Sequence, residues 1–141
     1  MSGEFPFTTV VVPVWRDAAG LPACLDALAR QTWPADRREV IVVDNGGGVA
    51  VAERPGVRVL REEEPGSYAA RNRGIREARG AVIAFTDADC VPAPDWLERG
   101  AAPLSDPAVG MVAGRIRVTF LDPARPTLVE VYESVASFRQ E

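Results

Sequence analysis

Apolar positions along this chain alternate between two periods, one that suits strands and one that suits helices. Residues 7–14, Phe7-Thr8-Thr9-Val10-Val11-Val12-Pro13-Val14, form a β-branched run that predicts a first strand, with Pro13 tolerable only where pairing ends. Over residues 21–31 the apolar Leu21, Cys24, Leu25, Leu28 and Ala29 recur at helical spacing, and Pro22 falls in the first turn, where proline is permitted. Glu39-Val40-Ile41-Val42-Val43-Asp44 predicts a second, buried strand that stops at Asn45-Gly46-Gly47-Gly48, and residues 57–60 predict a shorter third. Pro65-Gly66-Ser67 predicts a turn with Ser67 as N-cap, opening a helix that runs to Arg79 and is closed by Gly80. Gly80-Ala81-Val82-Ile83-Ala84-Phe85-Thr86 then predicts a fully buried, central strand whose tip carries Asp87-Ala88-Asp89. A turn at Pro92-Ala93-Pro94-Asp95, a short helix over 96–104, a strand or strand pair over 109–120 and a last helix over 127–139 complete the series.

Strands alternating with helices at this spacing imply right-handed βαβ crossovers, hence one α/β domain over residues 1–141 with a mostly parallel, doubly wound sheet. Trp15-Arg16-Asp17, Asp44, and Asp87 with Asp89 all fall at the carboxyl ends of predicted strands. Such folds bind ligands at that edge, where the strand order reverses. Two carboxylates there can hold a hard divalent cation, Mn2+ or Mg2+, which takes oxygen ligands and leaves most positions to water and substrate phosphate. The implied partner is a metal-phosphate substrate.

Composition narrows the chemistry. The chain has no His, and all 16 of its basic residues are Arg. Without His there is no Ser-His-Asp or Cys-His pair, and without Lys no Walker-type phosphate lysine and no Schiff base. Any catalysis rests on carboxylates, Arg, backbone amides and a bound metal. A net charge of −4 with no basic stripe argues against nucleic acid. Neither a secretory signal nor a membrane span is visible, so the expectation is a soluble, cytoplasmic protein. Cys24 and Cys90 are too few for a disulfide framework and are read as ordinary buried thiols.

Several stretches, taken in order, resemble a known family. They are Val10-Val11-Val12-Pro13-Val14-Trp15; Leu25 through Gln31-Thr32-Trp33-Pro34; Val40-Ile41-Val42-Val43-Asp44-Asn45-Gly46; Gly66 with Ala70-Arg71-Asn72-Arg73-Gly74; and Phe85-Thr86-Asp87-Ala88-Asp89 with Pro92 and Asp95-Trp96-Leu97. Together they resemble the family 2 glycosyltransferases of the GT-A fold, over residues 8 to 97 of 141. The resemblance implies sugar transfer from a nucleoside-diphosphate sugar to an acceptor hydroxyl, with inversion; uridine is the commonest base in that family. It implies that Pro13, Val14 and Trp15 line the nucleobase pocket and that Asp44 accepts a hydrogen bond from the base. It further implies that Arg71 lies near the base or diphosphate, that Asp87 approaches the ribose or donor sugar, and that Asp89, with Asp87, ligates Mn2+ or Mg2+. Members of the family continue into a segment with an acidic pair that supplies the general base. Nothing after Asp89 matches that pair, so no catalytic base is named. The intact donor half favours a chain shortened on the acceptor side over a donor-binding remnant.

Other readings stand beside this one. A non-catalytic nucleotide-sugar module would bind without turnover. A nucleotidyltransferase would want a Gly- and basic-rich loop after the first strand, for which Trp15-Arg16-Asp17-Ala18-Ala19-Gly20 is a poor candidate. Gly46-Gly47-Gly48 lacks phosphate-loop spacing and reads as a flexible loop, Glu62-Glu63-Glu64 as an exposed one, and Arg73, Arg76 and Arg79 as solvated. Asp95 reads as a helix-terminus residue. A domain short of its acceptor half is expected to expose apolar surface and to self-associate.

Overall fold

In the computed structural model, which describes residues 5–16 and 19–137, the strands β1 (Thr8–Val14), β2 (Arg38–Asp44), β3 (Val57–Arg61) and β4 (Val82–Phe85) form one parallel sheet. Its order is β3-β2-β1-β4. The chain first steps outward from β1 to β2 and β3, then returns to lay β4 on the other side of β1. The winding direction therefore reverses at β1, and the crevice expected of such a reversal opens at the carboxyl ends of β1 and β4.

Side-chain alternation along the two inner strands explains the layers. Val10, Val12 and Val14 of β1, with Val40 and Val42 of β2, face Leu21, Cys24, Leu25 and Leu28 of helix α1 (Leu21–Ala29). Val11, Ile41 and Val43 point the other way, toward Ala70 of helix α2 (Ser67–Glu77). Both faces are covered, so β1 and β2 read as continuous apolar runs. Each large aliphatic side chain buried here contributes about 1.5–3 kcal/mol. Helix α2 lies directly on β1: a Cβ on Gly74 would meet Val11 Cγ1 at 2.4 Å.

The Asp-Ala-Asp strand departs from expectation. Among the described residues it is the outer strand on its side of the sheet, paired with β1 alone, and its residues are partly exposed rather than fully buried. Residues 109–120 form no strand; Met111 and Ile116 are exposed and Gly110 and Gly114 interrupt the run, so alternation alone does not hold it without a paired neighbour.

Ser67 is the first helical residue and Gly66 takes the cap position, because φ 121° there is comfortable only for glycine. The helix ends at Glu77, and Ala78 turns extended. Gly80 instead marks a close approach, since a Cβ there would sit 2.5 Å from the Thr9 backbone nitrogen.

Helix α3 (Trp96–Ala101) runs into a 3-10 turn at Ala102–Ser105, close to the expected bounds. The last helix, α4 (Leu128–Tyr132), widens into a π-type turn over Glu133–Ser137, and Arg139 lies outside the described residues. Thr127 and Glu130 form a reciprocal capping box at its start. Amides of Leu121 and Thr127 and the Thr127 hydroxyl donate to the Glu130 carboxylate, which lowers its pKa. No helix among the described residues is long and apolar enough to cross a membrane.

Candidate functional site

A cleft of about 780 Å³ opens where β1 and β4 end. One wall is Pro13, Val14 and Trp15, at the end of β1. The opposite wall is Pro65, Gly66 and Ser67, continued by Ala70 and Arg71 of α2, and Asp87, Ala88 and Asp89 line the side toward β4. Of the residues that the sequence put at strand tips, Trp15, Asp87 and Asp89 line this cleft, and Arg16 and Asp44 do not. Asp17 lies outside the described residues.

Trp15 is half exposed, and the Arg16 guanidinium carbon lies 5.0 Å from its ring centroid. A flat aromatic face at the mouth of a cleft is suited to stacking.

Across from it, Arg71 Nη2 donates to Asp87 Oδ1 at 2.9 Å. Asp89 is exposed on the cleft side, and among the described residues only the weakly donating Cys90 thiol approaches its Oδ1, at 3.8 Å. Of the two carboxylates, Asp89 is the freer to bind a cation. Among the described residues no cluster of three or more His, Cys, Asp or Glu side chains is gathered. A pair of carboxylate oxygens, with no nitrogen or thiolate donor, fits Mg2+ or Mn2+ held jointly with water and substrate phosphates rather than in an all-protein cage.

Asp44 is buried one step behind the cleft. Its Oδ1 accepts from Gly46 N at 3.2 Å and Gly47 N at 2.8 Å, and its Oδ2 from Val49 N at 3.2 Å. The glycine loop read as flexible is therefore tied down at its base. Asn45, which the sequence offered only as a turn residue, lines the cleft instead. It is buried, its Nδ2 donates to the Glu62 and Glu64 carbonyls at 3.1 and 2.6 Å, and its Oδ1 accepts from Gly66 N at 2.9 Å. That clamp joins the end of β2 to the wall that leads into α2. An amide can donate twice and accept at once, which no residue near it in sequence could do. Glu62, read from the sequence as exposed with Glu63 and Glu64, has a side chain only 15% exposed, and it meets Arg76 at 3.4 Å.

The two thiols flank the acidic loop. Cys24 Sγ donates to the Asp87 carbonyl at 3.7 Å, and burial first, then the nearby Cys90, Asp89 and Asp87, push its pKa up to about 12. Cys90 is partly exposed rather than buried, and its pKa is also raised, chiefly by desolvation. Neither is poised as a thiolate nucleophile.

Residues 9–140 match the family described as glycosyl transferase family 2. Over its whole length the chain is 37% identical to the glycosyltransferase AglE of Haloferax volcanii, of which it covers 49%; it spans about half the length of that curated relative. Among solved structures, the mannosyltransferase PcManGT from Pyrobaculum calidifontis, in complex with GDP-Man and Mn2+, superposes with a TM-score of 0.66 at 31% identity, covering 77% of this chain and 35% of that one. S. aureus TarS in complex with UDP-GlcNAc shares the fold, with a TM-score of 0.57 at 21% identity over 82% of this chain and 38% of that one. With its parallel sheet and the fold of these GT-A glycosyltransferases, the chain belongs to glycosyl transferase family 2.

Proposed function

We propose that the cleft binds a nucleoside-diphosphate sugar together with Mn2+ or Mg2+, as the donor half of an inverting glycosyltransferase. The observation that carries this reading is the pair Asp87 and Asp89 at the tip of β4, beside the reversal of strand order and facing Arg71 across the cleft. The complex of the Pyrobaculum mannosyltransferase with GDP-Man and Mn2+ supports it.

In this reading Pro13, Val14 and Trp15 hold the nucleobase, Trp15 by the ring face opposite the Arg16 guanidinium. The Asp44 carboxylate offers about four acceptor sites, of which three are taken by loop amides, leaving one for a base N–H. Arg71 orients the Asp87 carboxylate toward the ribose or donor sugar and adds positive charge beside the diphosphate. Asp89, with Asp87, holds the cation. A bound divalent ion would neutralise the charge that develops on the departing diphosphate. The acceptor oxygen bonds to the anomeric carbon from the face opposite the diphosphate, the carbon–oxygen bond to the diphosphate breaks with its electron pair, and the hydroxyl proton passes to a base.

Binding tests the reading more directly than turnover, since the chain covers 49% of its Haloferax relative. UDP, GDP and TDP are titrated calorimetrically with and without Mn2+. One diphosphate is expected to bind, more tightly with the metal. Absence of binding by all of them in both conditions overturns the assignment.

A further inference from the structure

Gly20, immediately before α1, forms part of the cleft wall and lies against the backbone of the acidic loop. A Cβ built on it would sit 2.9 Å from Asp89 Cα and 3.0 Å from the Ala88 carbonyl oxygen. Its φ of −81° and ψ of −16° are open to any L-residue, so conformation does not account for a glycine here. Close approach to Asp89 does.

One turn on, Cys24 touches the same loop from beneath. Its Sγ donates to the Asp87 carbonyl at 3.7 Å, and that carbonyl also accepts the Cys90 N–H at 3.0 Å. Cys24 N in turn bonds to Gly20 O at 3.1 Å, so both contacts belong to a single helical turn. That turn is firmly seated, because Leu21, Cys24, Leu25 and Leu28 are all buried against β1 and β2. The loop itself has less support from the sheet. Strand β4 is an outer strand ending at Phe85, and beyond it Thr86 N reaches Val11 O at 3.3 Å.

We infer that Gly20 and Cys24 are positioning residues for the Asp87 and Asp89 carboxylates: the first turn of α1 is the platform that fixes the height of the acidic loop in the cleft. The inference rests on the donor-site reading above. Groups behind a metal ligand set its aim, and their loss commonly costs about tenfold or more in metal affinity. A glycine serving only to start the helix would alter stability without altering the response to metal.

The experiment measures UDP and GDP affinity in Mn2+ and in EDTA, for the wild type, Gly20→Ala and Cys24→Ala, with circular dichroism and thermal melts alongside. The readout is the ratio of the two affinities. Gly20→Ala is expected to lower that ratio about tenfold, and Cys24→Ala to lower it less, in the same direction. Should Gly20→Ala fail to fold, Cys24→Ala decides alone. A wild-type ratio retained by every folded variant overturns the positioning role and leaves the donor site standing. A wild type that gains nothing from Mn2+ removes the metal reading, and the positioning role with it.

Discussion

Arg71, in the second turn of α2, reaches across the cleft to Asp87 at the tip of β4, with 2.9 Å between Nη2 and Oδ1. Their side chains are 31% and 58% exposed, so the pair adds no more than about 1 kcal/mol to stability. Its value in the proposed donor site lies in orientation: the single charge-assisted bond from Nη2 holds the carboxylate and the guanidinium to one another at the cleft. Replacing Arg71 with Ala should therefore leave the melting temperature nearly unchanged. Nucleoside-diphosphate affinity should fall by about 1.5–3 kcal/mol, the worth of a hydrogen bond to a charged group. Calorimetry and a thermal melt on the same sample check both halves, and Arg71→Lys, which keeps the charge but not the planar guanidinium, should recover only part of the affinity.

Asp89 separates metal binding from folding. Exposed and without a strong partner among the described residues, it can become Asn at little cost in stability, since surface substitutions of this kind usually change it by less than about 0.5 kcal/mol. The same change removes the freer anionic oxygen ligand. Titration of Mn2+ into the nucleotide complex of Asp89→Asn should show an affinity at least about tenfold weaker, and a wild-type metal titration would contradict the role given to Asp89.

Asn45→Ala should damage both fold and cleft. It strips partners from the Glu62 and Glu64 carbonyls and from the Gly66 amide, which lie on a partly exposed loop around a buried Asn45. Leaving such groups unsatisfied costs about 1–3 kcal/mol, which urea unfolding can measure. The Gly66 N–H, now held by Asn45 Oδ1 at 2.9 Å, should exchange faster with solvent in the variant.

The sequence pattern made the inner sheet legible because β1 and β2 are buried on both faces, where composition follows burial closely; the same holds for α1, with one apolar stripe. It also placed Trp15, Asp87 and Asp89 at one edge, since strand tips in a parallel sheet share that edge by topology, whereas Arg71, on a helix, was named only through the family resemblance. What it missed depends on contacts made at a distance. Asn45 reads as a turn residue until the loop at 62–66 folds back over it, and Gly20 reads as a helix start until Asp89 arrives beside it. The outer position of β4 was hidden for a related reason: Val82-Ile83-Ala84-Phe85 is as apolar as a central strand. Residues 109–120 failed in the opposite sense, offering alternation without a neighbour to pair with.

That stretch and the residues after it lead to a solution prediction. Met111, Leu121 and Leu128 are 88%, 97% and 89% exposed, and Val129, Tyr132 and Val135 are exposed as well. Apolar surface of this extent drives association. Light scattering should show a mass that rises with protein concentration, and Leu121→Ser with Leu128→Ser should lower it. A monomer at every concentration would contradict the expectation.

Packing of α2 on β1 carries through to the cleft, and Gly74 is where the link can be cut. Alanine there gains about 0.5–1 kcal/mol in helix propensity. Its methyl, however, would fall 2.4 Å from Val11 Cγ1 and 2.9 Å from Cγ2, inside a fully buried side chain. Overpacking of that kind costs about 1–3 kcal/mol, so Gly74→Ala should be destabilising on balance. Relief comes only if the helix lifts off the strand, and Arg71, one turn earlier on α2, moves with it away from Asp87. Nucleotide affinity should then fall together with stability. Val11→Ala removes the obstructing methyls, so in the double variant the helix can settle back; a double-mutant cycle should give a coupling of about 1 kcal/mol or more in favour of the pair, with affinity partly restored. Independent, additive effects would mean that α2 does not bear on Val11 as closely as the 2.4 Å approach implies.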